Sequence, residues 1–196
     1  WLPSKGKVIY RGWDFGKVHP CVEFAQCFGN SKNYIDELSG NNILFEPFIQ
    51  QVLGHSNLNF PGCTFIDWVD VSGRNEDAWG NSSIKSMRQY GLHPRGRDQP
   101  IEEGIRLMCQ DLVRLEDGHP YFRLNPSKCT QLASAMRSGY KRNKKGEIIK
   151  DGISDHPVDA ARYLYQGVGS DTSKDWTKIQ DKLKHQYGKF PKDGRQ

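Results

Sequence analysis

The sequence predicts an α/β domain with a mixed sheet, mainly from the order of its β-rich and helix-like segments. Three segments rich in β-branched and aromatic residues come first, at residues 7–16, 20–28 and 33–38, with a turn at 29–32 between the last two. Helical periodicity then alternates with short extended segments, as in sheets whose parallel strands are joined by helices. We therefore expect an antiparallel meander followed by parallel strands, flanked by helices.

The later elements follow from local patterns of the same kind. Spacing of apolar residues and turn residues predicts helices at 44–53, 82–90, 101–115 and 127–136, and extended segments at 63–70, 92–95 and 121–124. Residues 139–150 are predicted to form a β-hairpin with a Lys-Lys-Gly tip. The last helix is expected to have Pro157 at its first position, which suits proline, and to bury the stripe that contains Val158 and Ala161.

Composition and charge indicate one globular domain with a basic end. The chain of 196 residues is long enough for one well-buried domain, placed at residues 1–169, and no apolar run reaches the ~20 residues that a membrane helix needs. Residues 137–196 contain fourteen basic and eight acidic side chains, and residues 170–196 are interpreted as a basic polar tail. The five cysteines form no CxxC pair, which favours reduced thiols in a cytosolic setting. Because the chain begins at Trp1 without methionine, we expect it to be a piece of a longer protein.

Three acidic positions lie at the ends of predicted elements. Asp14 ends the first strand, Asp70 ends the fourth, and Asp155 lies where the last helix starts. If the first and fourth strands are neighbours, their ends bring two carboxylates together, and the last helix adds the third. Oxygen-only clusters of this kind suit Mg²⁺ or Mn²⁺. Two such ions about 3.5–4 Å apart activate water and stabilise the leaving oxygen of a phosphodiester.

The second carboxylate of this cluster is either Asp70 or Asp67. Side chains of a regular strand alternate between its two faces, so both cannot point to one site. Asp70 lies nearer the strand end and is the first choice. Asp67 is the second, and its structural alternative is a salt-bridged strand residue.

The start of the last helix also allows more than one assignment. Asp159 lies one turn after Asp155 and would hold a metal ion, directly or through water, or fix His156 or Arg162 in place. In the interpretation without a metal, Asp155 caps the helix and Asp159 pairs with Arg162. His156 is either a metal ligand or a residue near the cap. The other histidines have no metal-ligand spacing with each other or with cysteine, which argues against zinc.

Three motifs carry a family resemblance. They are Arg-Gly-Trp-Asp-Phe-Gly at 11–16 with His-Pro at 19–20, Asp-Val-Ser-Gly at 70–73, and Asp-His-Pro-Val-Asp-Ala-Ala-Arg-Tyr at 155–163. The chain resembles, over residues 1–168, the C-terminal nuclease domain of the large terminase subunit of tailed bacteriophages, although that family usually has proline where this sequence has Val71. The resemblance implies a ribonuclease H-like fold and metal-dependent cleavage of concatemeric double-stranded viral DNA during packaging. It implies two Mg²⁺ or Mn²⁺ ions, and as their ligands Asp14, Asp70, Asp155 and Asp159.

The same resemblance implies partners. They are an N-terminal ATPase motor domain, the portal or procapsid and the small terminase subunit, in the cytoplasm of the host cell. No GxxxxGK[ST] phosphate loop occurs in the sequence, so the motor lies outside these residues. The basic hairpin is expected to contact DNA phosphates, through Lys141, Arg142, Lys144, Lys145 and Lys150.

Two other functions fit the same residues. Another ribonuclease H-like nuclease, such as a junction resolvase or a transposase core, would use the same three carboxylates. A non-catalytic module that docks a packaging motor onto DNA or the procapsid would not need them.

Overall fold

The computed structural model describes residues 7–16, 18–76, 78, 80–116 and 118–171. The strands are β1 (Val8–Asp14), β2 (Cys21–Phe28), β3 (Ser31–Ser39), β4 (Thr64–Val69), β5 (Arg95–Gly96), β6 (Leu115–Glu116), β7 (His119–Pro120) and β8 (Phe122–Leu124). The helices are α1 (Phe45–Asn59), α2 (Ser83–Gln89), α3 (Ile101–Val113), α4 (Thr130–Ser134) and α5 (Asp155–Asp171). A 3-10 turn at Val71–Arg74 follows β4, and a π-helical turn at Ala135–Gly139 follows α4.

The main sheet has six strands in the order β5-β4-β1-β2-β3-β8, and a small separate sheet pairs β6 with β7. Strands β1, β2 and β3 form the antiparallel meander. Strand β4 pairs in parallel with the other edge of β1, with Trp13 opposite Val69 as the last pair. Short strands β5 and β8 extend the two edges in parallel with β4 and β3. The predicted mixed sheet is confirmed.

Helices cover both faces of the sheet, and the alternation of side chains along β1 decides which helices each residue meets. Tyr10 packs with Ile66 and Trp68 of β4 against α3, α4 and α5. Ile9 and Trp13 point the other way and pack against α1 and α2. The sheet is therefore a central layer between two hydrophobic cores, and even-numbered positions of β1 and β4 face α5.

Helix α5 lies directly on β1 and β4, because two glycines leave no side chain between them. A Cβ atom at Gly12 of β1 would lie 2.1 Å from the carbonyl oxygen of Ala160, and one at Gly167 of α5 would lie 2.0 Å from the ring of Trp68. Both distances are shorter than any van der Waals contact. The close approach places the first turn of α5 at the carboxyl end of β1.

Some helix boundaries differ from the prediction. Helix α1 continues to Asn59, well beyond residue 53. Helix α3 ends at Val113 and not at 115, because Arg114 has an extended backbone that leads into β6. Helix α5 begins at Asp155, two residues before Pro157. The proline is tolerated there because the N–H groups of a first turn have no intrahelical acceptor.

The predicted hairpin at 139–150 is a turn closed by a single bridge between Arg142 and Ile148. The side-chain oxygen of Asn143 accepts hydrogen bonds from the backbone N–H groups of Lys145 at 2.9 Å and Glu147 at 3.0 Å. The backbone N–H groups of Asn143 and Ile149 also donate to the carbonyl oxygens of Glu147 and Lys141, both at 2.9 Å. The predicted hairpin is therefore present in a short form around its Lys-Lys-Gly tip, and the Asn143 side chain adds support to the turn. Residues 141–148 are called the basic turn below.

Helix α5 continues past residue 169, and most of the expected tail, residues 172–196, lies outside the described residues. In the part of the chain that is described, no helix combines the length and the hydropathy that crossing a bilayer requires.

Candidate metal centre

Asp14 and Asp70 lie at the carboxyl ends of neighbouring parallel strands. Each follows by one residue the last register pair of β1 and β4, Trp13 and Val69. Neighbouring strands are about 4.8 Å apart. Asp14 contacts His156 of α5, and Asp70 contacts a tyrosine of the same helix, so both carboxylates are on the α5 side of the sheet.

Asp70 is held by a turn and by a helix. Its Oδ1 accepts a hydrogen bond from the backbone N–H of Ser72 at 3.0 Å, and its Oδ2 accepts from the Ser72 hydroxyl at 2.6 Å. The hydroxyl of Tyr163 in α5 donates to the same Oδ2 at 3.0 Å. Burial raises the pKa of Tyr163, which keeps the hydroxyl protonated as a donor. The carboxylate is thus oriented by groups from two elements.

His156 of α5 reaches Asp14 across the end of β1. Its Nδ1 lies 2.6 Å from Asp14 Oδ2. The hydrogen bond to Asp14 raises the pKa of His156, whereas burial raises the pKa of the Asp14 carboxyl even though His156 opposes that shift. Gly16 makes room for the imidazole, because a Cβ atom there would lie 2.9 Å from Nε2 of His156.

The start of α5 presents Asp155 and Asp159 on one face, both buried. Asp155 Oδ1 accepts from the backbone N–H of Gly152 at 2.7 Å. Asp159 Oδ1 accepts from Arg162 Nη2 at 3.2 Å, and its Oδ2 contacts the ammonium of Lys150. Lys150 Nζ is also 3.8 Å from Asp155 Oδ2. The Asp159–Arg162 pair that the sequence allowed is present, together with a lysine contact that it did not indicate.

Asp67 lies on the opposite face of the sheet, in a buried pair with Arg11. Asp67 Oδ1 is 2.7 Å from Arg11 Nε and 2.7 Å from Trp13 Nε1, and Oδ2 is 2.9 Å from Arg11 Nη2. The pair is covered by α1, whose Ser56 hydroxyl is 3.1 Å from Arg11 Nη1. Asp67 is therefore the salt-bridged strand residue of the alternative interpretation, and the sheet separates it from the α5 side.

The basic side chains predicted to bind DNA are not equivalent. Arg142 forms a two-bond pair with Glu102 of α3, at 2.8 and 2.6 Å. Lys150 is turned toward the acidic residues of α5. The remaining three are exposed, namely Lys141, Lys144 and Lys145. All five candidates are thus open to solvent, and two of them, Arg142 and Lys150, are engaged with carboxylates.

The donor atoms fit a hard divalent cation in kind, since most are carboxylate oxygens. Within the described ranges, no three histidine, cysteine or acidic side chains are already grouped around a metal position. Each candidate carboxylate instead faces a protein donor, for example His156 at Asp14 or Lys150 at Asp159. Binding of an ion therefore requires some of these donors to move aside.

Two contacts of the site were missed by sequence reasoning although signals for them exist. Tyr163 follows Asp155 and Asp159 at four-residue spacing, which places all three on one helix face. Ser72 stands two residues after Asp70, the spacing of a local turn in which an aspartate accepts from the chain ahead of it. For Lys150 no local pattern indicates the contact with Asp159.

Comparison with solved structures shows the fold of phage large terminase nuclease domains, which is ribonuclease H-like. The large terminase of a thermophilic bacteriophage, solved with ATP-gamma-S, has a TM-score of 0.63 at 18% identity, covering 84% of this chain and 41% of that one. The nuclease domain of g2p, the large terminase of bacteriophage SPP1, solved with bound Mn, has a TM-score of 0.55 at 19% identity, covering 81% and 85%. The large terminase nuclease of thermophilic phage G20c, solved with bound cobalt, has a TM-score of 0.52 at 13% identity, covering 81% and 80%.

The chain therefore spans about two fifths of the first of these terminases and most of the two separate nuclease domains. No protein-family model and no curated protein sequence matches it.

Proposed function

We propose that this chain is the nuclease part of a phage large terminase, a metal-dependent endonuclease that cuts double-stranded viral DNA during genome packaging. The observation that carries the proposal is the position of Asp14 and Asp70 at the ends of adjacent parallel strands, in contact with His156 and Tyr163 of α5. The SPP1 and G20c domains share this fold and were solved with manganese and cobalt.

Asp14, Asp70 and Asp159 are the residues that would hold Mg²⁺ or Mn²⁺, with Asp155 beside them at the start of α5. Two such ions, when bound, activate a water and stabilise the leaving oxygen of a phosphodiester. The chain itself supplies orientation, because Ser72 and Tyr163 fix the Asp70 carboxylate.

DNA would approach through the basic turn. Lys141, Lys144 and Lys145 are exposed on it, and lysine contacts with phosphates position a duplex without selecting its sequence. The turn precedes, in sequence, the loop that leads into α5.

The full-length protein would contain more than this nuclease. The thermophilic phage terminase was solved with ATP-gamma-S, and this chain spans only 41% of it. We expect an ATPase motor domain in the rest of the protein, and cooperation with the portal or procapsid and the small terminase subunit in the host cytoplasm.

Plasmid cleavage tests the proposal. Wild-type chain is incubated with supercoiled plasmid in Mg²⁺, Mn²⁺, Ca²⁺, Zn²⁺ or EDTA, beside Asp14→Asn, Asp70→Asn and the control Asp98→Asn, an exposed aspartate near β5. We expect cleavage with Mg²⁺ or Mn²⁺ only, unchanged in the control and lowered about 100-fold or more in the two site variants. Circular dichroism of each variant verifies folding.

Two outcomes would contradict the proposal. Full activity in EDTA would exclude metal dependence, and wild-type rates in both folded site variants would exclude these carboxylates. A strong preference for four-way junctions over linear duplex would favour a resolvase. Binding of duplex without cleavage, unaffected by either substitution, would favour a docking module.

A further inference from the structure

The ammonium of Lys150 occupies the position where a cation is expected among the acidic residues of α5. It contacts Asp159 Oδ2 and lies 3.8 Å from Asp155 Oδ2. Both carboxylates belong to buried residues, 3% and 5% exposed, for which an unpaired charge would be costly. Lys150 therefore neutralises charge that would otherwise be paired only in part.

The other cationic side chain that contacts Asp159, Arg162, is less exposed than Lys150 and is held more firmly. Arg162 is 2% exposed and is fixed by Asp159 on one side and by Gln166 Oε1, at 3.1 Å, on the other. The Lys150 side chain is 47% exposed and comes from the loop before α5. Of the two, Lys150 is the exposed side chain, and its departure would leave the contacts of Arg162 within α5 in place.

From this difference we infer that Lys150 is a tethered counter-ion, which holds Asp159 and Asp155 in the metal-free protein and must be displaced when a divalent ion binds. The inference rests on the proposed function, since it takes Asp159 as a metal ligand. A bound ion and the ammonium compete for Asp159 Oδ2, so each lowers the affinity of the site for the other. The lysine thereby sets the concentration of divalent ion that is needed before an ion replaces the ammonium at Asp159.

Calorimetric titration with Mn²⁺, without DNA, measures this competition. Lys150→Met keeps the length of the side chain and removes its charge, and Lys145→Met makes the same change on the exposed basic turn. We expect the Lys150 variant to bind Mn²⁺ at least about fivefold more tightly than wild type. The Lys145 variant should stay within twofold of wild type, because an exposed charge is screened by solvent and salt.

Chemical modification of the wild-type protein gives a second readout that needs no variant. Acetylation of lysines by an acid anhydride, read by mass spectrometry, reports how free each amine is. We expect saturating Mn²⁺ to increase modification of Lys150 and to leave that of Lys144 unchanged. This measurement keeps the inference testable even if Lys150→Met does not fold.

The outcomes separate this inference from the proposed function. If wild type binds no Mn²⁺, both are overturned. If wild type binds Mn²⁺ but Lys150→Met binds with equal or lower affinity, or Lys150 modification does not rise with Mn²⁺, only the counter-ion role is overturned.

Discussion

His156 Nδ1 lies 2.6 Å from Asp14 Oδ2, so that one ion pair joins the first turn of α5 to the end of β1. The two residues are distant in sequence and are brought together because Gly12 lets the helix rest on the strand. The pair orients a candidate metal ligand and ties the site to the central layer of the fold. Protonation or deprotonation of this pair should therefore change both the charge at the candidate site and the free energy of unfolding.

The stability supplied by His156 should depend on pH. Its pKa is raised above the ordinary 6.5 by the hydrogen bond to Asp14, so the stabilisation is complete below pH 6.5 and is lost as pH rises through the folded-state value. We expect His156→Asn to melt below wild type at about pH 6, with the difference shrinking at higher pH. Thermal unfolding in EDTA across this range measures it, with His93→Asn, an exposed histidine, as control. A difference that does not vary with pH would rule out the charged pair.

Asp14→Asn should leave the fold intact. Burial raises the pKa of Asp14, so its ionised form is less stable in the folded than in the unfolded chain at neutral pH. The neutral amide removes that penalty, and we expect an equal or higher melting temperature at pH 7–8 without metal. Added Mn²⁺ should raise the melting temperature of wild type but hardly that of the variant. Unfolding of Asp14→Asn would mean that this carboxylate is structural.

Substitution of aspartate by asparagine should have different effects at positions 67 and 70. Asp67→Asn leaves the Arg11 charge buried without its partner and should destabilise the fold by about 3–5 kcal/mol. Asp70→Asn removes a half-exposed acid and should change stability little while weakening Mn²⁺ binding. Urea unfolding and calorimetry of both variants compare them. A stable Asp67→Asn that loses Mn²⁺ binding would reverse the assignment of the second ligand.

The contact of α5 with β1 can be tested at Gly12. Alanine there places a Cβ atom 2.1 Å from the carbonyl oxygen of Ala160, and the required shift of the helix should destabilise the protein by about 1–3 kcal/mol or more. The matched control is Gly54→Ala in α1, where a Cβ meets nothing within 4 Å. That change should stabilise by about 0.5–1 kcal/mol, since alanine favours a helix. Equal melting temperatures for the two variants would contradict the packing described for α5.

Neutralising Lys144 and Lys145 together should weaken DNA binding without affecting the fold. Both are exposed on the basic turn, whose backbone is supported by Asn143. Each lost phosphate contact should make the slope of log affinity against log salt shallower by about 0.9. Fluorescence anisotropy with a labelled duplex measures the slope, and Lys85→Ala, a lysine paired with Glu76, serves as control. An unchanged slope would move the DNA contact away from this turn, and deletion of residues 170–196 would then test the tail.

Much of the fold could be predicted because it depends on local pattern. Strands β1 and β2 are indicated by runs of β-branched and aromatic residues, and helix α3 by the spacing of its apolar residues. Each of these patterns can be recognised within a few consecutive residues. The hairpin at 139–150 could be predicted but its length could not, since it has a single bridge and the Asn143 side chain supports its turn. Likewise, the start of α5 could not be placed from Pro157 alone.

The sequence by itself determined which residue types stand at the strand and helix ends, and hence that Asp14, Asp70 and Asp155 were candidates. Only the tertiary structure decided their partners. The register of β1 on β4 places Asp70 beside Asp14 and puts Asp67 with Arg11 on the other face. The physical reason is that these contacts join residues tens of positions apart, and their geometry depends on how strands align and helices dock. The same packing turns Lys150, which the sequence assigns to DNA, toward the carboxylates of α5.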